Sequence, residues 1–173
     1  PAFFSEPQLL NSAQSIGLVA AVDRASVLSS LQAPASGVEV VLITGGLLHS
    51  AAWAGVLFSE SPDRVALYRW LDELEHIVLS QRRVDLSIFV DIMPEHIDLQ
   101  ERVYCPVGWG SKPAPEIEAL RACYVEAANL LPKTKVITTS REGLLKPDSE
   151  IGNEVWNLVR RIVLKADMPK RGV

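Results

Sequence analysis

Short apolar runs alternate with amphipathic stretches along most of the chain, and that rhythm narrows the open folds more than any other feature. Four runs are apolar and partly β-branched: SIGLVAAV (15–22), VEVVLITG (38–45), VDLSIFVDI (84–92) and TKVITTS (134–140). Runs this short, with little polar alternation, suit strands covered on both faces, as in a parallel sheet. Helical patterns lie between and after them. The first is DRASVLSSLQ (23–32). The second is SPDRVALYRWLDELEHIVLSQ (61–81), where Ser61 can cap, Pro62 suits the first turn and Asp63 favours the positive end. Leu67, Leu71, Leu74 and Val78 share one face of it. APEIEALRACYVEAANLL (114–131) aligns Ile117, Leu120, Tyr124, Ala127 and Leu131 and stops at Pro132. DSEIGNEVWNLVRRIVLKA (148–166) aligns Ile151, Val155, Leu158, Val159 and Ile162. Strand and helix in strict alternation predict an α/β fold: a mostly parallel sheet of four or more strands between two helical layers.

The chain has 173 residues, the size of one domain, and a single domain over 1–173 is expected. One stretch, 95–115, breaks the rhythm with Pro106, Gly108, Gly110, Pro113 and Pro115, and is expected to be a long irregular loop. The net charge of −4 argues against a nucleic-acid partner, since phosphate recognition needs a basic face. No unbroken apolar run reaches the ~20 residues of a membrane span. The opening PAFFSEPQLL lacks the basic region and apolar stretch of a signal peptide, so a cytoplasmic setting is expected. Cys105 and Cys123 are expected as reduced thiols, and no metal site is expected from ligands so sparse.

The residues that could carry chemistry are few. Parallel α/β folds bind ligands at the C-terminal ends of their strands. Gly45 and Gly46 stand where the second run ends, the place where backbone N–H groups could meet a phosphate. Leu47, Leu48 and His49 follow in place of further glycines, so no cofactor is expected there. His49 and Ser50 are adjacent, Asp91 and Asp23 each end an apolar run, and Ser140 ends another. An enzyme built at this strand edge would draw on His49, Ser50, Asp91 and Ser140. No G-x-S-x-G elbow is present to expose a serine nucleophile.

VVLITGG resembles the first strand and turn of short-chain dehydrogenase/reductases, RRVDLSIFVDI is similar to their middle strand, and LLPKTKVITTSREGLL resembles the strand carrying their catalytic serine, which falls at Ser140. Their Tyr-x-x-x-Lys pair would fall at Asn153 and Asn157. Neither can donate a proton as the tyrosine does or tune it as the lysine does. The truncated, non-catalytic half of the ketoreductases of polyketide and fatty-acid synthases fits the length better. SIGLVAAVDRASVLSSLQ is similar to its opening strand and helix, and KVITTSREGLL to its W-x-V-T-R-G strand. NEVWNLVRRIVLKADMP resembles its closing helix through Trp156, Arg160 and Pro169. The resemblance implies a truncated, three-layer Rossmann-like domain without cofactor. Such a domain is structural and supports a catalytic partner or an adjacent domain. The alternative is a small reductase or hydrolase at the C-terminal strand edge.

Overall fold

The computed structural model of the chain describes residues 13–31, 40–58, 61–96 and 114–166. Along them run α1 (Ala13–Leu31), α2 (Leu47–Gly55) and α3 (Ser61–Glu73), which continues as a π-helical turn, Leu74–Val78. Then come β1 (Ser87–Asp91), a 3-10 turn (Pro94–His96), α4 (Ala114–Leu130), β2 (Thr134–Thr138), β3 (Ser140–Arg141), β4 (Leu144–Leu145) and α5 (Asp148–Ala166). The protein is therefore α/β. It divides into two compact units: Pro1–Arg83 with Ala119–Pro132, and Val84–Glu118 with Lys133–Val173. Among the described residues no helix is long and apolar enough to cross a membrane.

The first unit is helical and is held by small residues. Gly17 and Ala21, one turn apart on α1, are buried, and a Cβ at Gly17 would stand 2.5 Å from Leu71 Cδ2. Ala51, Ala52 and Ala54 of α2 are fully buried. Gly55 faces Tyr68 of α3 so closely that an added Cβ would stand 3.0 Å from the ring carbon Cε1, and nearer still to the hydroxyl. Tyr68 and Leu71 are the largest fully buried side chains. Full burial of such a side chain contributes about 1.5–3 kcal/mol. Tyr68 donates weakly to Cys123 O at 3.5 Å and Glu126 Oε2 at 3.4 Å on α4. Arg64 joins α3 to α4 more firmly, Nε donating to Glu126 Oε2 at 2.6 Å while Nη1 donates to Phe58 O at 3.1 Å.

In the second unit, β1 and β2 pair in parallel, from Ser87 opposite Thr134 to Asp91 opposite Thr138. Thr139 extends the pairing: its N–H and its hydroxyl both donate to Asp91 O, at 3.0 and 2.9 Å. The chain then turns back through the antiparallel pair β3 and β4. Glu142 and Gly143 between them hold φ of 52° and 80°, the positive values that a tight two-residue hairpin needs. Pro147 O accepts the N–H groups of Glu150 and Ile151, and so starts α5, whose first turn carries Asp148 and Glu150.

Two expected strands are absent from the sheet. Residues 15–22 lie inside α1. The run reads as a strand because Gly17 and Ala21 look apolar with the rest. They are instead the inward stripe of a helix, spaced four apart, while Leu18 and Val22 are exposed. Residues 40–43 are irregular and exposed, Leu42 by 85%, and take no strand pairing. A strand needs a hydrogen-bonded neighbour, and β propensity alone supplies none. The expected parallel sheet of four or more strands is thus a parallel pair beside a short antiparallel one among the described residues. The helices expected at 61–81, 114–131 and 148–166 are present, the first ending at Val78 in its π turn. That turn adds a residue to the helical repeat, which accounts for the 70% exposure of Val78, expected on the buried stripe. Of the irregular stretch expected at 95–115, Glu95 and His96 lie in the 3-10 turn and Ala114 and Pro115 open α4; the remainder lies outside the described residues, as does Cys105.

Gly55→Val should destabilise the protein by about 1–3 kcal/mol, because Tyr68 is fully buried and cannot withdraw. Gly152→Ala is the contrast: it lies in α5 with nothing within 4 Å of an added Cβ. It should stabilise by up to about 1 kcal/mol. Urea midpoints of the two variants decide; equal effects would refute the close packing of α2 on α3.

Candidate functional site

Polar side chains converge where α1, α2, the π turn and α4 meet in the helical unit. Arg24 of α1 is the hub. Its Nε donates to Glu75 Oε1 at 2.9 Å and its Nη2 donates to the same oxygen. Its Nη1 donates to Ser50 Oγ. The Arg24 and Glu75 side chains are 14% and 5% exposed, so the pair is nearly dry. Losing one partner from such a pair leaves an uncompensated buried charge, and that cost exceeds the pair's own net worth.

His49 stands beside this hub. Its Nδ1 and the Tyr124 hydroxyl are hydrogen-bonded, and the edge of Trp53 packs on its ring at 5.9 Å between centroids. Burial first, and then the positive charge of Arg24, hold the His49 pKa below the ordinary 6.5. Burial pushes Tyr124 up to about 12. A neutral imidazole and a protonated phenol therefore share the bond at neutral pH. Burial also raises the pKa of Cys123, whose free thiol lies in α4.

His49 and Ser50 are thus brought into one cluster, with different partners. A serine nucleophile needs a base within hydrogen-bond reach and an open approach. Ser50 is 5% exposed and holds Arg24, while His49 Nδ1 holds Tyr124. The cluster ties helices together. Gly45 and Gly46 precede it. Gly45 has φ of 69°, which favours glycine, and Gly46 caps α2, its carbonyl accepting from His49 N at 3.0 Å and Ser50 N at 3.3 Å. Leu48 turns into the core.

Asp91 and Ser140 belong to the other unit. Asp91 ends β1 and is buried, its carbonyl held by Thr139. Ser140 opens the hairpin opposite Leu145. Asp23, expected to end a strand, is an exposed residue within α1. Among the described residues no group of three or more His, Cys, Asp or Glu side chains could hold a metal ion.

Arg24, Glu75 and Tyr124 were not singled out in the sequence, though two carried a signal. Arg24 falls three residues after Ala21, on the small-residue stripe of α1. Glu75 falls four after Leu71, on the apolar stripe of α3. A charge on a core stripe marks a buried pair, since such residues are almost never fully buried unless paired. Known family models, curated proteins and solved structures yield no match to this chain.

Arg24→Met should cost roughly 3 kcal/mol of stability by stranding the Glu75 carboxylate, and adding Glu75→Met should recover part of that loss. A double variant less stable than Arg24→Met would refute the pairing. The pH response follows from His49. Its folded pKa lies below the unfolded 6.5, so the unfolded chain takes up the proton first. The stability from a neutral His49 is complete above about 6.5 and is lost as the pH falls through that value toward the folded pKa. Urea midpoints should therefore drop between about pH 7.5 and about pH 5, and His49→Gln should flatten part of the drop.

Proposed function

We propose that this chain is a non-catalytic structural or interaction domain of a reduced Rossmann-like kind, acting in support of a catalytic partner or a neighbouring ketoreductase-type domain. The observation that carries the reading is the use made of its reactive side chains. His49 and Ser50, the adjacent pair best suited to nucleophilic chemistry, are engaged by Tyr124 and Arg24 in interhelical bonds. Groups engaged in that way, with Ser50 buried and His49 partly so, serve to hold helices together.

Three further features support the same reading. The parallel pairing of β1 with β2 is the kind of strand pairing from which Rossmann-like folds are assembled. The Gly45–Gly46 turn is not fed by a sheet strand, whereas dinucleotide sites lie at a strand's C-terminal end. Asn153 and Asn157, which stand at the reductase family's tyrosine and lysine positions, are exposed on α5 and supply neither proton nor charge.

The test is titration calorimetry with NADPH at about 100 μM protein, a level at which even weak sites register, together with a ketone-reduction assay. Neither binding nor turnover is expected. Saturable one-to-one binding would overturn the reading and favour the alternative, a small α/β enzyme using the strand edge, with Ser140 the first residue to substitute.

A further inference from the structure

α5 is amphipathic, yet none of its described side chains is fully buried. Ile151, Val155, Leu158, Val159 and Ile162, expected in the core, are half-buried. The opposite face is exposed and has an unusual composition: Gly152, Asn153, Trp156, Asn157, Arg160, Arg161 and Leu164. Trp156 is 58% exposed and Leu164 55%. Trp156, Arg160 and Leu164 are spaced four apart, so they form one ridge.

The charge on this face runs against that of the chain. The whole protein carries −4, but from Gly152 to Leu164 this face carries two arginines and no acid, the exposed Asp148 lying one turn earlier. A groove of about 360 Å³ adjoins it, between β2 and α5, with Val136, Ile137 and Leu158 as its apolar lining and Lys135, Asn157 and Arg161 as polar members. Its one acid, Glu154, is taken by Lys146 Nζ at 2.8 Å. Among the described residues Lys135, Arg160 and Arg161 have no ion-pair partner. The helix dipole does not account for the arginines, because its effect is confined to the last turn and both precede it. An exposed tryptophan flanked by arginines is the composition of interface anchors. Unpaired cations around an apolar centre fit a partner of the opposite charge with an apolar side of its own.

We propose that the exposed face of α5, with Trp156, Arg160 and Arg161, together with Lys135 at the adjoining groove, is a docking surface for an acidic, apolar segment of a protein partner. The proposal rests on the reading of the chain as an interaction domain and names the chemistry of what it binds. Trp156 supplies the anchor, to be covered by apolar side chains of the segment. Arg160, Arg161 and Lys135 set its orientation by pairing with carboxylates and speed its encounter.

The test uses the full chain and synthetic peptides of about 16 residues, long enough for four helical turns. One series alternates Glu or Asp with Leu and Phe; a control series replaces each acid by Gln. Fluorescence anisotropy reads binding, at low and at raised salt. The acidic series should bind and the Gln series should not. Salt should weaken the complex, and Trp156→Ala and Arg160→Gln/Arg161→Gln should each weaken it about tenfold or more, the scale of an interface anchor. These side chains are exposed, so unchanged circular dichroism and melting will separate lost docking from lost folding. Equal binding of both series, or binding indifferent to the substitutions, overturns the proposal. An RNA oligonucleotide that binds through the arginines where acidic peptides do not also overturns it, as does self-association lost on Trp156→Ala, which would give the face to a second copy. NADPH titration of the same preparations keeps the two readings apart: binding there sinks the non-catalytic reading, while peptides indifferent to Trp156 sink only this one.

Discussion

The guanidinium of Arg24 is the constraint around which the helical unit is arranged. One side chain of α1 satisfies a buried carboxylate on the π turn and a buried hydroxyl on α2, and it sets the electrostatics of the neighbouring histidine. Small residues make this possible. Gly17 and Ala21 bring α1 close enough for its arginine to reach across, and the alanines of α2 leave room for the helices to approach. A larger side chain on either stripe would hold the helices apart and leave Glu75 unpaired in a dry site. The neutral state of His49 follows from its burial in the same cluster first, and from the positive charge of Arg24 second.

How much of this could be read from the sequence divides along a physical line. α5 and α4 were legible because their apolar residues recur at helical spacing and their ends carry local signals, Asp148 and Glu150 at one start and Pro132 beyond the other end. β1 and β2 were legible because SIFVD and TKVIT are short, β-branched and find each other in parallel. The strands wrongly expected at 15–22 and 38–45 show what local pattern omits. The first has the right composition but belongs to a continuous helix of nineteen residues, where its glycine and alanine count as packing surface. The second has four β-favouring apolar residues in succession, 40–43, and no partner strand among the described residues, so its propensity has nothing to act on; its residues 38 and 39 lie outside the described ones. Of the candidate site residues, His49 and Ser50 lie in α2, a helix not among those expected from the sequence, and the strand expected to lead into them is not formed over 40–43. Their real partners are 75 and 26 residues distant in sequence, beyond anything local spacing reveals.

The two units differ in how completely they bury themselves. The helical unit closes over Tyr68, Leu71 and a layer of alanines. In the unit of strands the buried side chains among the described residues are Asp91, Ile137 and Thr139, while Val90, Ile92 and Val136 stay substantially exposed. Parallel sheets are ordinarily covered on both faces, and two strands are few for independent stability. An apolar surface left open in water gains free energy on being covered, at about 25 cal/mol per Å². Both units leave apolar side chains open among the described residues, Leu42, Ile77 and Val78 in the helical one, and Leu144, Trp156 and Leu164 in the strand unit.

The same contrast bears on the proposal that this chain works as an interaction domain. A catalytic group must be reached by its substrate and must keep a free hydrogen-bonding capacity for it. Ser50 is buried against Arg24, and the partly buried His49 commits its Nδ1 to Tyr124, so both serve the packing of the helical unit. Recognition makes the opposite demand: apolar area and charge must remain unspent in the isolated chain. Trp156 and the arginines beside it meet that demand, on the helix whose inner face is only half-covered. Lys135, Arg160 and Arg161 are without ion-pair partners among the described residues, whereas Lys146 pairs with Glu154, and it is this unspent charge beside Trp156 that the docking proposal would put to use.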